Sequence, residues 1–434
     1  MSILYDLIFL IFALIYLPLY LFKRKIHAGL WMRLGILPGD LALDRPIWVH
    51  AVSVGEAMAV RGLIEELRPA YPGKNFVIST VTATGNKIAR GLAREKDLVT
   101  YLPFDFGFIV RSVIDRIDPA IFVIAETEIW PNLILYLHRK NIPVITVNGR
   151  VSDASFRGYL AIKILLKPIL GKVSLFCVQT ERDAQRLKRL GVSEDKIKIT
   201  GNMKFDIKVS SNMRRDSAEA GKKDDMDYRK KLSLESGARL LVAGSTHPRE
   251  EEAVLGAYKE LLNEFAQLKL LLAPRHPERA KEIGGIVSGF GFRPVFLSAI
   301  TSECPTCLSR PVFILDTVGE LTSFYAIADI VFVGGSLIKK GGHNILEPAS
   351  LGKPVLFGPY MFNFRDIADL FLGNGAGLLV HNQYELKTNI AYLLNNPSFA
   401  EGLAQRAQKL ILKNQGATKR NAGYVKAYTE SKSS

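Results

Sequence analysis

Short apolar runs alternate along most of the chain with stretches long enough for an amphipathic helix. From Ile47 the runs are Ile47–Val52, Phe76–Val81, Val99–Leu102, Ala120–Ala125, Val144–Val147, Leu175–Val178 and Ile197–Thr200. After a polar interval the rhythm resumes at Leu240–Gly244, Leu270–Ala273, Val312–Leu315, Ile330–Val333, Val355–Gly358 and Leu378–Val380. Runs this short, apolar at successive positions, fit strands buried on both faces. Their alternation with helix-length segments predicts an α/β class, with largely parallel sheets covered by helices on both sides. Ligands of such sheets bind beyond the carboxyl ends of the strands, so the polar residues after each run are the ones to examine.

The N-terminus breaks this pattern. Leu7 to Phe22 carries no charge; Asp6 precedes it, and Lys23, Arg24, Lys25, Trp31 and Arg33 follow. A helix needs about 20 apolar residues to cross a bilayer. Asp6 and Pro18 make this segment marginal, so spanning and lying in the interface both stay open. Positive charge after the apolar run, rather than before it, argues against a secretory signal and predicts a cytoplasmic remainder. The polar stretch Ile207–Glu235 reads as a connection between domains. The expected division is an anchor segment at 1–30, a first domain at 31–206, a linker at 207–236 and a second domain at 237–434. Terminal helices around Lys413, Lys419 and Arg420 are free to fold back on the first domain.

Composition narrows the choice of partner. A chain of 434 residues with 48% hydrophobic content has room for two cores. Its 57 Lys and Arg exceed 42 Asp and Glu by 15, which suggests a polyanionic neighbour: nucleic acid, acidic lipid or a phosphorylated substrate. Zinc-finger spacing and RNA-recognition motifs are both missing from the sequence, which weighs against nucleic acid. The three cysteines, Cys177, Cys304 and Cys307, suit a reducing compartment, and a single Cys-x-x-Cys is a weak metal or redox signal.

In the first half, Ser53-Val54-Gly55-Glu56 follows the first strand. Glu56 falls in the first turn of a helix, as a carboxylate complementing the helix dipole or as a general base. No Gly-x-Gly-x-x-Gly or Walker loop is present there. Thr82-Ala83-Thr84-Gly85-Asn86 suits helix capping or phosphate. Glu126 and Glu128 follow the fourth strand, where carboxylates are costly unless paired or functional. Arg150 offers a cationic fork, and Lys204 is a surface lysine or an anion ligand.

In the second half, Ile330–Pro359 combines a buried strand, a glycine-rich loop (Gly334, Gly335, Gly341, Gly342), polar groups at a helix start (His343, Asn344, Glu347) and another strand. Such a unit commonly holds an anionic or nucleotide ligand. Gly244-Ser245-Thr246-His247, Pro274–Arg279 and Asp316–Glu320 end three other strands, giving four polar loops expected along one edge. Of the seven histidines, His50, His247, His276 and His343 fall at strand ends. They lack metal-ligand spacing, which favours hydrogen-bonding roles over zinc. Asp225-Met226-Asp227 spells a metal–nucleotide motif, but in a solvated charge run rather than at a strand end. Asn344-x-x-Glu347 is a capping box or a ligand site; Pro348 within the first helical turns favours the ligand role.

Taken together, the segments HAVSVGE (His50–Glu56), AETEIWPN (Ala125–Asn132), TGNMKFD (Thr200–Asp206), AGSTH (Ala243–His247), PRHPER (Pro274–Arg279), DTVGEL (Asp316–Leu321) and GGSLIKKGGHNILEP (Gly334–Pro348) resemble the bacterial 3-deoxy-D-manno-octulosonic acid (Kdo) transferases of lipid A biosynthesis. The resemblance implies a GT-B fold, two Rossmann-like domains facing across a cleft, with an N-terminal membrane-associated helix. It implies inverting transfer of Kdo from CMP-Kdo to the lipid A precursor, lipid IVA, with no metal and no other cofactor. Glu56 matches the proposed base; Glu126 and Lys204 match transition-state stabilisers. Pro274, Arg275, Val318, Gly319, Glu320, Asn344, Ile345, Leu346 and Glu347 match CMP-holding segments. The implied setting is the cytoplasmic side of the inner membrane, among anionic lipids, without nucleic acid. Ile345 stands where the family often has proline, Val318 where methionine is usual and Gly149 where alanine is common; none removes an ionisable group. Other GT-B activities and a non-catalytic, membrane-tethered nucleotide-binding module are the alternatives.

Overall fold

The computed structural model describes residues 29–39, 41–206, 228–235, 237–300 and 310–430. The apolar segment expected to meet the membrane, the Cys304–Cys307 loop, Asp225–Asp227 and most of the expected linker lie outside the described residues. Among the described residues no helix is long and apolar enough to cross a membrane. Two compact units divide the chain: Met1–Asp206 with Asn414–Ser434, and Ile207–Lys413.

Unit 1 holds one parallel sheet: β1 (Ile47–His50), β2 (Phe76–Thr80), β3 (Leu98–Tyr101), β4 (Ile121–Ala125), β5 (Val144–Gly149), β6 (Leu175–Val178) and β7 (Ile197–Ile199). They lie in the order β3-β2-β1-β4-β5-β6-β7. The apolar runs become strands because burial on both faces satisfies every side chain, and the ladder satisfies the backbone. Trp48, Phe122 and Phe176 point to one face and pack on helices such as Gly107–Ile117 and Pro131–Arg139. Ile47, Val49, Val123 and Ile145 point to the other face. The C-terminal helix Ala417–Glu430 completes that second face with Ala417, Ala422 and Val425. It is tied down by Asp206, whose carboxylate accepts the N–H groups of Gly416 and Thr418.

Unit 2 repeats the plan with β8 (Arg239–Thr246), β9 (Leu268–Pro274), β10 (Arg293–Phe296), β11 (Pro311–Ile314), β12 (Ile330–Val333), β13 (Val355–Phe357) and β14 (Leu378–Leu379). The order is β10-β11-β9-β8-β12-β13-β14, again parallel throughout. The apolar pattern does not announce β10. It is an edge strand pairing only with β11, its residues are exposed or half-buried, and it contains Pro294, which such an edge tolerates.

Each sheet has a topological switch point, where the chain turns from building one side to building the other. In unit 1 it lies between β1 and β4, in unit 2 between β8 and β12. Crevices at such points are where open α/β sheets bind ligands.

Candidate functional site

Glu56 follows β1 and Glu126 follows β4, so the two carboxylates flank the switch point of unit 1. The helix Val54–Leu67 starts at Ser53, whose hydroxyl oxygen accepts the Glu56 N–H. In return the Ser53 hydroxyl donates to Glu56 Oε1 at 2.9 Å, and the Val52 N–H donates to Oε2 at 2.7 Å. This is a capping box in which the carboxylate bonds one residue before the cap. Glu56 is 8% exposed. Burial pushes its carboxyl up to about 7, the charge of Glu126 adds to the rise, and the two hydrogen bonds oppose it. A carboxylate serving only the helix dipole would be held low, so desolvation and its acidic neighbour outweigh the dipole.

Glu126 occupies the left-handed backbone region, at φ 58°. For a residue with a Cβ this is strained, by about 1 kcal/mol or more. Its N–H is held by Val147 O at 2.9 Å on the neighbouring strand. Lys204 Nζ lies 3.7 Å from Glu126 Oε1. Burial, then the charge of Glu126, raises the Glu128 carboxyl as well. The three acidic groups and Lys204 thus form one electrostatic group. Lys204 is held by its turn: Asn202 Oδ1 accepts the Lys204 N–H, and Asn148 Oδ1 accepts the Met203 N–H.

His50, the last residue of β1, is fully buried, and Nδ1 bonds Ser79. Burial drives its imidazole down to about 3, so it is neutral and structural at ordinary pH. Arg150 donates its N–H to Thr127 Oγ1. Thr82 caps the helix Ala83–Leu92 through the Gly85 N–H, in the manner of a plain N-cap.

In unit 2 the four polar loops follow β11, β9, β8 and β12, which are neighbours in that order in the sheet. The glycine-rich loop does not offer all its amides to a ligand. The buried Glu250 carboxylate accepts the N–H groups of Gly335 at 2.6 Å and of Ser336 and Leu337 at 2.9 Å, and that of His247 at 3.0 Å. An internal carboxylate therefore fills the nest that an anion was expected to take. The sequence did carry a signal for Glu250, three residues after His247 at a helix start.

Of the residues matched to CMP binding, Pro274 ends β9, and Arg275 is exposed with its N–H on Thr246 O at 3.0 Å. Val318 is 86% exposed. Gly319 has φ 100°, which only glycine adopts freely. Glu320 accepts from the Thr317 hydroxyl and lies 3.7 Å from Lys231 Nζ. Ile345 and Leu346 are buried, while Asn344 and Glu347 are half-buried. The Asn344–Glu347 spacing is not a capping box: Asn344 Oδ1 accepts the Leu346 N–H, and Glu347 turns to accept from the Thr322 hydroxyl. Pro348, expected to fit badly in this helix, is accommodated by it. Pro348 sits in the first turn of the helix Leu346–Ser350, where a missing N–H leaves no intrahelical bond unmade.

His247 Nε2 and His343 Nε2 are 2.9 Å apart, bridging the ends of β8 and β12. Among the described residues no group of three or more His, Cys, Asp or Glu could hold a metal ion.

The family described as 3-deoxy-D-manno-octulosonic-acid transferase (kdotransferase) matches residues 28–207. A 3-deoxy-D-manno-octulosonic acid transferase of Haemophilus influenzae is 34% identical over 387 residues, covering 88% of this chain and 87% of the relative. One of Chlamydophila psittaci is 31% identical over 434 residues, covering 98% and 96%. Among solved structures, a UDP-GlcNAc 2-epimerase from Neisseria meningitidis superposes with TM-score 0.55 at 15% identity, covering 85% of this chain and 99% of that one, a likeness of fold.

Proposed function

The chain belongs to the 3-deoxy-D-manno-octulosonic acid transferases, glycosyltransferases that move Kdo in lipopolysaccharide biosynthesis, and we propose that it takes Kdo from CMP-Kdo to the lipid A precursor, lipid IVA, with inversion. The observation that carries this reading is the switch-point group of unit 1. Glu56, pushed up to about 7, is poised to take a proton from an acceptor hydroxyl near neutral pH. Glu126 and Lys204 stand beside it as paired charges able to respond as the glycosidic bond breaks. Inversion needs one displacement, in which the acceptor oxygen attacks the anomeric carbon, its proton passes to Glu56, and the bonding pair leaves with the phosphate of CMP.

On the donor side, Arg275 carries the charge that suits a phosphate, and Glu347 has acceptor oxygens that suit ribose hydroxyls. Pro274, Val318 to Glu320 and Asn344 to Leu346 shape the same sheet edge. The chemistry as read uses proton transfer and fixed charge, with no metal or cofactor. The excess of 15 positive charges and the apolar segment Leu7–Phe22 support a place on anionic lipids at the cytoplasmic face of the inner membrane. The test is mass spectrometry of the product from CMP-Kdo and a tetra-acylated lipid A precursor. A mass gain of one or more Kdo units is expected, lost in Glu56→Gln. No gain with the intact enzyme would overturn the reading.

A further inference from the structure

Glu320 follows β11 and Glu347 follows β12, and one helix holds both carboxylates in place. The helix Leu321–Ile327 starts at Glu320, its N-cap residue. Its second residue, Thr322, donates its hydroxyl proton to Glu347 Oε1. The helix is firmly seated: Phe324 and Tyr325 are buried, and Tyr228 packs edge-on against Phe324 with ring centroids 5.0 Å apart. Glu320 is held in turn by the Thr317 hydroxyl and by Lys231, whose Nζ lies 3.7 Å from its Oε1.

The main chain at Glu347 is fixed without help from its side chain. Ile345, Leu346 and Ala349 are fully buried, Pro348 has a ring-locked φ, and the Ser350 hydroxyl donates to Glu347 O at 2.7 Å. The side-chain torsions remain. A glutamate left to rotate must give up that freedom whenever a ligand engages it. Thr322 removes the freedom beforehand. An ionised carboxylate has about four acceptor sites and no donor, so the proton in the bond is the threonine's. It takes one site on Oε1 and leaves the other, with both on Oε2, for a ligand.

Those sites have no competitor of opposite charge. Among the described residues no Lys, Arg or His forms an ion pair with Glu347. Other carboxylates of the unit are already engaged: Glu250 by backbone N–H groups, Glu251 by Arg279 at 2.8 Å, and Glu278 by His276 at 3.3 Å. Tyr325, one turn on from Thr322, does sense the charge. Burial, then Glu347, pushes its hydroxyl up, so it stays neutral beside the carboxylate. A half-buried carboxylate with one oxygen anchored and the other open suits two adjacent hydroxyls, one on each oxygen. A ribose presents such a pair at C2′ and C3′; a deoxyribose does not.

We propose that Thr322 is a positioning residue for nucleotide binding: its hydroxyl, committed to Glu347 Oε1, holds that carboxylate in the orientation that receives the two ribose hydroxyls, and so sets the preference for a ribonucleotide over a deoxyribonucleotide. The inference rests on the donor role of Glu347 proposed above. Thr322 touches neither the sugar nor the reacting atoms and acts through Glu347 alone.

The experiment is titration calorimetry of the full chain with CMP and dCMP, for the wild type, Thr322→Val, Thr322→Ser and Glu347→Ala. Valine keeps the shape of threonine and removes only the hydroxyl; Thr322→Ala replaces it should valine disturb the helix. The wild type is expected to bind CMP more tightly than dCMP. Thr322→Val should weaken CMP about three- to tenfold, the effect of leaving one side chain to be ordered on binding, and weaken dCMP less, so that the ratio narrows. Thr322→Ser should restore the wild-type ratio. A threonine that merely stabilised the fold would weaken both nucleotides alike. An unmoved ratio in Thr322→Val, while Glu347→Ala still narrows it, overturns the positioning role and leaves Glu347 on the ribose. Undiminished CMP affinity in Glu347→Ala, or no CMP binding by the wild type, overturns the donor reading and this inference with it.

Discussion

Lys204 Nζ stands 3.7 Å from Glu126 Oε1, and Glu126 in turn raises the proton affinity of Glu56. Cation, carboxylate and candidate base are therefore coupled, although they come from three different strand ends. Removing one charge must be felt by the others. Lys204→Ala and Glu126→Gln should each lower kcat by about a hundredfold or more, within the range seen for a lost charge stabiliser. The double variant should cost less than the sum of the two effects, because either single change already removes the contact between them. Strict additivity in a double-mutant cycle would separate the two residues.

The pH profile follows from Glu56. A base must be deprotonated, and its carboxyl is pushed up to about 7, so kcat/KM should fall tenfold per pH unit below that point. Glu126→Gln removes the second cause of the rise, so the acid limb should move to lower pH even as the maximal rate drops. An acid limb near the ordinary carboxylate range in the intact enzyme would remove Glu56 as the base.

Ser53 has two duties. Ser53→Ala removes the N-cap of the helix Val54–Leu67, at a cost of about 1 kcal/mol, visible as a lower melting temperature. It also removes the hydroxyl that donates to ionised Glu56. That bond lowers the Glu56 pKa, so its loss should move the acid limb upward. A stability loss with an unmoved limb would confine Ser53 to capping.

Glu250 should be the most expensive single residue in unit 2. Its carboxylate accepts four backbone N–H groups in a buried site. Glu250→Ala strands all four donors, a loss on the order of 4 kcal/mol at about 1 kcal/mol each. Glu250→Gln should lose less, since its amide oxygen still accepts. Denaturant unfolding of the two variants measures the difference, and an equal, small loss would mean the loop rearranges freely.

Acid should destabilise unit 2 through its histidine pair. Both imidazoles are held down to about 4 when folded, against an ordinary value near 6.5 in the unfolded chain. The unfolded state therefore binds more protons between those values. Stability is full above about 6.5 and declines as pH falls toward 4. His343→Gln should flatten that decline in urea midpoints measured across the window.

Much of this was legible in the chain. The apolar runs at Ile47, Phe76, Ala120, Val144 and Leu175 became central strands because a residue buried on both faces must be apolar whatever surrounds it. The residues after them were candidates for the same reason, since a polar group at a buried strand end needs a purpose. The strand Arg293–Phe296 was not legible, because an edge strand is half solvated and its composition is unconstrained. Nor was Glu250. Three consecutive amides, 85 to 87 residues away, receive it, and no local pattern marks such a long-range pairing.

By itself the sequence determined the α/β class, the strand ends that carry chemistry and the family resemblance, because burial periodicity and strand-end motifs are local properties. Only the tertiary structure decided which strand ends are neighbours. The crossing of each sheet at its switch point brings Glu56 beside Glu126 and His247 against His343, residues 70 and 96 positions apart. Only that packing sets the proton affinities. Desolvation and a neighbouring charge depend on what lies within a few ångströms, and the linear order of residues does not record it.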